Sequence, residues 1–150
     1  MSCGNYIGTS APTAPLHVVL GVVALPVSPA YPALGTALTG DGNGPKRLFA
    51  KTGLIIKPGT TFELVVPAAF SDRLSIGWGG EPSTPSHRLI VSNCAKAGGA
   101  GWLAYPGGYW VDHPACVPLI VKAGNNQQQV HIGVGTACPG QRPPQGPSQS

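Results

Sequence analysis

The sequence predicts an all-β fold: a single immunoglobulin-like or jelly-roll-type β-sandwich of about 7–9 strands with disulfide bracing. Three observations predict it. Apolar residues alternate with period two in short runs bounded by turn residues, most clearly in the second half of the chain. Glycine and proline are abundant, at 22 and 17 of 150 residues, and no stretch joins a helical period to caps; residues 30–39, for example, are broken by Pro32 and Gly35. Finally, four cysteines (Cys3, Cys94, Cys116 and Cys138) sit in a chain of which only 9% is charged. They lack the spacing of a cysteine metal motif, so they read as disulfide partners in an extracytoplasmic domain.

Taken from the N-terminus, residues 1–15 are rich in Thr, Pro and Gly and read as a flexible tether. The sandwich is expected over residues 16–138. Its first strand candidate, residues 16–25, is apolar on both alternating faces except at His17, which suits a central strand or one covered by a partner. Residues 26–47 are Pro- and Gly-rich and read as a loop long enough to carry function. After the turn Lys57-Pro58-Gly59-Thr60, the side chains of Phe62, Leu64 and Val66 fall on one face. Leu74, Ile76 and Trp78 do the same in the next run, and Gly79-Gly80-Glu81-Pro82 ends it. Leu89 with Val91, Leu119 with Val121, and Val130 with Ile132 and Val134 complete the series, the last two runs joined at Ala123-Gly124-Asn125-Asn126. Residues 139–150 hold no apolar anchor and read as a disordered Pro/Gly/Gln-rich tail.

Composition narrows the function classes. A chain of 150 residues makes about one domain and buries roughly two-thirds of its unfolded surface. Its net charge of +4 is scattered, with only Lys46 and Arg47 adjacent, so the basic stripe of a nucleic-acid binder is missing and no nucleic-acid partner is expected. Residues 1–40 contain no Asp, Glu, Lys or Arg. That implies cover by protein or another surface, and self-association through residues 16–25 is the expected form. The longest apolar run, residues 16–27, is interrupted by His17, Gly21 and Pro26 and falls short of the ~20 residues of a membrane span. No signal peptide precedes Cys3. Two readings of Cys3 stay open: the lipid-modified cysteine of a lipoprotein, which would be the chain's one route to a membrane, or an ordinary disulfide partner.

Four cysteines allow three full pairings. The positions of the flanking strands favour Cys94 with Cys116 and Cys3 with Cys138, and a bridge closing a ~20-residue loop adds about 3 kcal/mol by the chain-entropy estimate. Neither metal nor cofactor is expected: His17, His87, His113 and His131 show no ligand spacing, and the only methionine is Met1, which leaves a blue-copper set incomplete. The sequence around Ser75 lacks the first glycine of a nucleophile elbow. Asp112-His113-Pro114-Ala115-Cys116 carries the residue types of an oriented Cys-His pair, but adjacent Asp and His diverge in an extended chain and Cys116 is claimed by a disulfide. A secreted hydrolase would therefore draw on His87, Asp112 and His113.

The densest feature is the segment 101–111, where Trp102, Tyr105, Tyr109 and Trp110 surround Pro106-Gly107-Gly108. Read as a hairpin, it presents an aromatic platform that can stack on sugar rings or anchor a protein. At least one of the two tryptophans is then expected to fill the core. The Cys3-Gly4 start with its Thr/Pro-rich tether, the YPGGYW segment, Cys116-Val117-Pro118-Leu119 and Cys138-Pro139-Gly140-Gln141 together resemble small secreted or lipoprotein β-sandwich domains of high-GC Gram-positive bacteria. The resemblance implies location and fold class, not an activity. The expected function is a non-enzymatic binding or structural module at the cell envelope, with a polysaccharide or envelope protein as partner. The alternatives are the hydrolase and a virion or filament subunit.

Overall fold

The computed structural model describes residues 1–39, 47–80, 84–95 and 101–144. Among these residues the chain forms thirteen strands: β1 (Gly8–Ser10), β2 (His17–Val19), β3 (Val23–Leu25), β4 (Ala37–Thr39), β5 (Arg47–Lys51), β6 (Leu54–Ile56), β7 (Thr61–Val65), β8 (Leu74–Trp78), β9 (Arg88–Ser92), β10 (Trp102–Tyr105), β11 (Gly107–Val111), β12 (Ala115–Ala123) and β13 (Asn126–Val134). They build three open antiparallel sheets of order β1-β10-β6-β3-β2, β4-β5-β11-β8 and β13-β12-β7-β9. The all-β sandwich is as expected; the strand number is higher because residues 16–25 form two short strands and further three-residue strands form at Gly8–Ser10 and Ala37–Thr39, where a tether and a loop were expected.

Two bent ribbons hold the architecture together. β5 pairs with β11 in the second sheet, and the continuations of both strands, β6 and β10, pair with each other in the first. The bends fall at Thr52-Gly53 and Pro106, where the Thr52 amide donates to the Gly107 carbonyl at 3.0 Å. Gly107 must be glycine here, because a Cβ would strike the Gly77 carbonyl and the Trp78 backbone. The expected 102–111 hairpin is therefore a bend between sheets. Its Pro-Gly-Gly sequence lets one ribbon change sheet rather than reverse direction.

The alternating runs point where the pattern said. Phe62, Leu64, Leu74, Ile76, Leu89, Val91, Leu119, Val121, Val130, Ile132 and Val134 all enter one continuous core. β12 and β13 form a nine-residue hairpin closed at Gly124-Asn125. Gly124 has φ 59°, the positive dihedral that a II′-type turn needs at its first central position. On the edge strand β9, Arg88 Nε donates to Glu63 Oε1 at 2.7 Å. That contact holds the exposed Glu63 carboxyl below its usual range.

Residues 16–25 are not one strand. Leu20 and Gly21 take φ of 51° and 72°, and the segment folds back as the β2–β3 hairpin. Its buried residues Val19, Val22, Val23 and Leu25 enter the protein's own core. His17, Val18 and Gly21 stay exposed, and Leu16 and Leu20 are half-buried. The loop expected over residues 26–47 likewise contains β4, while its Gly-rich end at 40–46 lies outside the described residues.

Both termini depart from the expected tether and tail. β1 adds to the first sheet beside β10, and Cys3 is bonded to Cys94. The second disulfide is Cys116–Cys138. Both predicted pairings are thus replaced, because the ends that meet are set by sheet order, which cysteine spacing does not encode. A sulfur joined to Cys94 has no free valence for a thioether. At the other end Gln141 is buried, its Oε1 accepting from the Cys138 amide at 2.8 Å and its Nε2 donating to the Tyr31 carbonyl at 2.6 Å. The disordered tail expected from residue 139 is therefore not found at Gln141, and residues 145–150 lie outside the described residues.

Candidate functional site

The predicted aromatic platform divides. On β10 and β11 the alternation turns Leu103, Tyr105, Tyr109 and Val111 inward and leaves Trp102 and Trp110 half-buried on the outside. Tyr105 and Tyr109 are both 0% exposed, which removes them from any binding surface. Tyr105 donates its hydroxyl to the Cys3 carbonyl at 2.8 Å, and burial raises its pKa. Tyr109 packs edge-on against Trp78, with centroids 5.1 Å apart; burial pushes its hydroxyl pKa far upward. That hydroxyl has no hydrogen-bond partner among the described residues. Trp78, rather than Trp102 or Trp110, is the core tryptophan, and its Nε1 donates to the Thr52 carbonyl at 2.8 Å.

The bend at Pro106 also separates the two outer tryptophans. Trp102 lies in the first sheet opposite Ser10, while Trp110 lies in the second, opposite Phe49 and Ser75. Phe49 is the partner that sequence reasoning missed. Its ring centroid is 4.8 Å from that of Trp110, with the planes 39° apart. Each ring leans over a glycine on the neighbouring strand. A Cβ on Gly108 would come within 2.9 Å of Phe49 Cε1, and one on Gly77 within 3.2 Å of Trp110 Cζ3. Aromatic cover of glycine gaps is a known means of stabilising a sheet. Here it also leaves the two side chains in contact and half-buried on the outside of the sheet.

Charge frames this surface. Period two places Arg47, Phe49 and Lys51 on the same face of β5, and the two cations are exposed. Arg47 Nη1 donates to Ser75 Oγ at 3.2 Å, which satisfies a hydroxyl buried in the all-buried strand β8. The result is a contacting aromatic pair with two exposed cations on the same face as Phe49. The signal was present in residues 47–51: a short run with charges at both ends and one aromatic between them, on the shared face.

The other candidate residues stay apart or act locally. His113 and Asp112 are exposed; the Asp112 Oδ1 accepts from the His113 amide at 2.9 Å and lies 3.1 Å from its Nδ1. This is a self-closed turn before β12. His87, exposed before β9, has no hydrogen bond or ion pair to either of them among the described residues. Cys116 is engaged by Cys138, and no group of three His, Cys, Asp or Glu gathers as a metal set among the described residues. Among those residues, too, no helix is long and apolar enough to cross a membrane. The two disulfides fit an oxidising, extracytoplasmic environment. No family model, curated protein or solved structure matches the chain.

Proposed function

We propose that the protein is a non-enzymatic, extracytoplasmic binding module, secreted rather than lipid-anchored, that engages polysaccharide through the Phe49–Trp110 surface. The observation that carries this reading is the pair of half-buried rings in contact on the outside of the second sheet, their centroids 4.8 Å apart, with Arg47 and Lys51 on the same face of β5. Flat aromatic faces on a rigid sheet stack on the apolar faces of sugar rings with little loss of side-chain entropy. The neighbouring cations add hydrogen-bond donors for hydroxyl or acidic substituents. The Cys3–Cys94 bond supports free secretion. The test is affinity electrophoresis through gels containing neutral and acidic envelope polysaccharides. Retardation of the wild-type protein is expected in at least one, weakened roughly tenfold by Trp110→Ala, the loss of about 1.4 kcal/mol of stacking. Equal retardation of Trp110→Ala and wild type, or none in any gel, overturns the reading.

A further inference from the structure

A second site lies away from the aromatic pair. Between residues 31–35 and the returning chain at Arg142 there is a cleft of about 400 Å³, lined by Pro15, Tyr31, Pro32, Leu34 and Arg142 among others. This volume suits one small ring-bearing ligand, at the lower end of ligand-pocket sizes.

The cleft is built from a fixed frame. The buried Gln141 side chain ties the Cys138 amide to the Tyr31 carbonyl. Next to it, the Ala33 amide donates to the Arg142 carbonyl at 3.0 Å, and the Leu34 amide to the Gly133 carbonyl at 2.8 Å. Cys116–Cys138 fastens the same stretch to β12. The backbone of Tyr31 and that of Arg142 therefore belong to one hydrogen-bonded unit, so the two walls are held before any ligand arrives.

Its electrostatics are one-sided. Every lining residue except Arg142 is uncharged, since residues 1–40 carry no charged side chain. Among the described residues the Arg142 guanidinium makes one hydrogen bond, from Nη2 to the Ala30 carbonyl at 3.4 Å. Among the described residues no carboxylate lies within ion-pair distance of it. Most of its five donors thus have no partner among the described residues, and their planar fork matches a carboxylate. Beside it, Tyr31 and the prolines offer an apolar wall on which a ring can rest.

We propose that this cleft binds a ring-bearing carboxylate, the ring against Tyr31 and Pro32 and the carboxylate on Arg142. A uronic acid and an aromatic acid share this chemistry. Calorimetric titration of the full chain with glucuronate against glucose, and with benzoate against benzyl alcohol, separates them. At least one acid is expected to bind ten or more times tighter than its neutral counterpart. Binding of glucuronate alone assigns an acidic saccharide, and binding of benzoate alone an aromatic acid. Arg142→Gln should abolish the preference for the acid, Arg142→Lys should retain part of it, and Tyr31→Ala should weaken acid and neutral ligand alike. Repeating the four titrations in a Trp110→Ala background removes saccharide stacking on the second sheet, and the preference for the acid should persist there, which keeps this site distinguishable from that surface. Absence of acid binding, equal binding of acid and neutral ligand, or a preference that survives Arg142→Gln in a variant with wild-type circular dichroism overturns the proposal.

Discussion

The two disulfides fasten regions that depend on them to different degrees. Cys3–Cys94 spans 91 residues and ties down a segment whose own sheet contribution is the three-residue β1. Cys116–Cys138 spans 22 residues and closes the base of the β12–β13 hairpin, where nine residue pairs already fix the register. Chain entropy gives the longer loop the larger effect, about 4.6 kcal/mol against about 3.4 kcal/mol. The contrast teaches that the N-terminal region is held mainly by a covalent bond, and the C-terminal region mainly by its ladder. The second bridge does something more local: it fixes the stretch at Cys138 that carries Gln141 and one wall of the cleft.

Replacing each pair with serine should separate these roles, and it carries the largest expected effects. The Cys3→Ser/Cys94→Ser protein should lose about 4–5 kcal/mol in urea unfolding and release the segment before β2 to proteases. The Cys116→Ser/Cys138→Ser protein should lose about 3 kcal/mol and keep its N-terminal segment protected. Equal losses, or cleavage at the same sites in both, would break the comparison.

The difference between the two regions also marks what the sequence makes legible. The inward residues of β7, β8, β9, β12 and β13 follow from period two, because a half-buried strand imposes that pattern on its own residues. Pro106-Gly107-Gly108 does not announce a bend between sheets, since whether such a sequence reverses or continues depends on the strand beside it, here Thr52-Gly53. Leu20 at φ 51° is similarly hidden: a leucine is a poor αL residue, and the hairpin forms because Gly21 and the burial of Val19 and Val23 outweigh the strain. Trp110 was readable as a surface candidate, but Phe49 was not. Their meeting is a matter of register between β5 and β11, two strands some sixty residues apart in sequence whose pairing no local pattern specifies.

Alkaline pH should weaken the N-terminal attachment next. Burial raises the pKa of Tyr105, whose hydroxyl is bonded to Cys3, and that of Tyr109. A folded pKa above the unfolded value means that the stabilisation is complete below pH about 10, where both states hold the proton. Above that, the unfolded chain releases protons that the folded one retains, so stability falls as pH rises. Each tyrosine adds a slope of up to about 1.4 kcal/mol per pH unit until its own folded pKa is reached. Melts between pH 8 and 11 should be flat at first and then fall. Tyr109→Phe should remove one share of the slope, and a curve unchanged by that variant would show that Tyr109 ionises alike in both states.

The smallest effects are the sharpest, because they have opposite signs at two residues four apart. Both rings are fully buried, so Tyr→Phe at either leaves the apolar packing almost intact and reads the hydroxyl alone. At Tyr105 the hydroxyl donates to the Cys3 carbonyl. Its removal leaves that carbonyl without its donor and should cost about 1 kcal/mol. At Tyr109 the hydroxyl is buried with no partner among the described residues. Removing it relieves an uncompensated desolvation, and the protein should gain about 1 kcal/mol. In the Cys3→Ser/Cys94→Ser background the Tyr105→Phe cost should shrink, since the freed segment no longer presents the carbonyl, while the Tyr109→Phe gain should be unaltered. A Tyr105→Phe cost of the same size in both backgrounds would mean that the N-terminal segment stays docked without its disulfide, and that the ladder, not the covalent bond, holds both ends of the molecule.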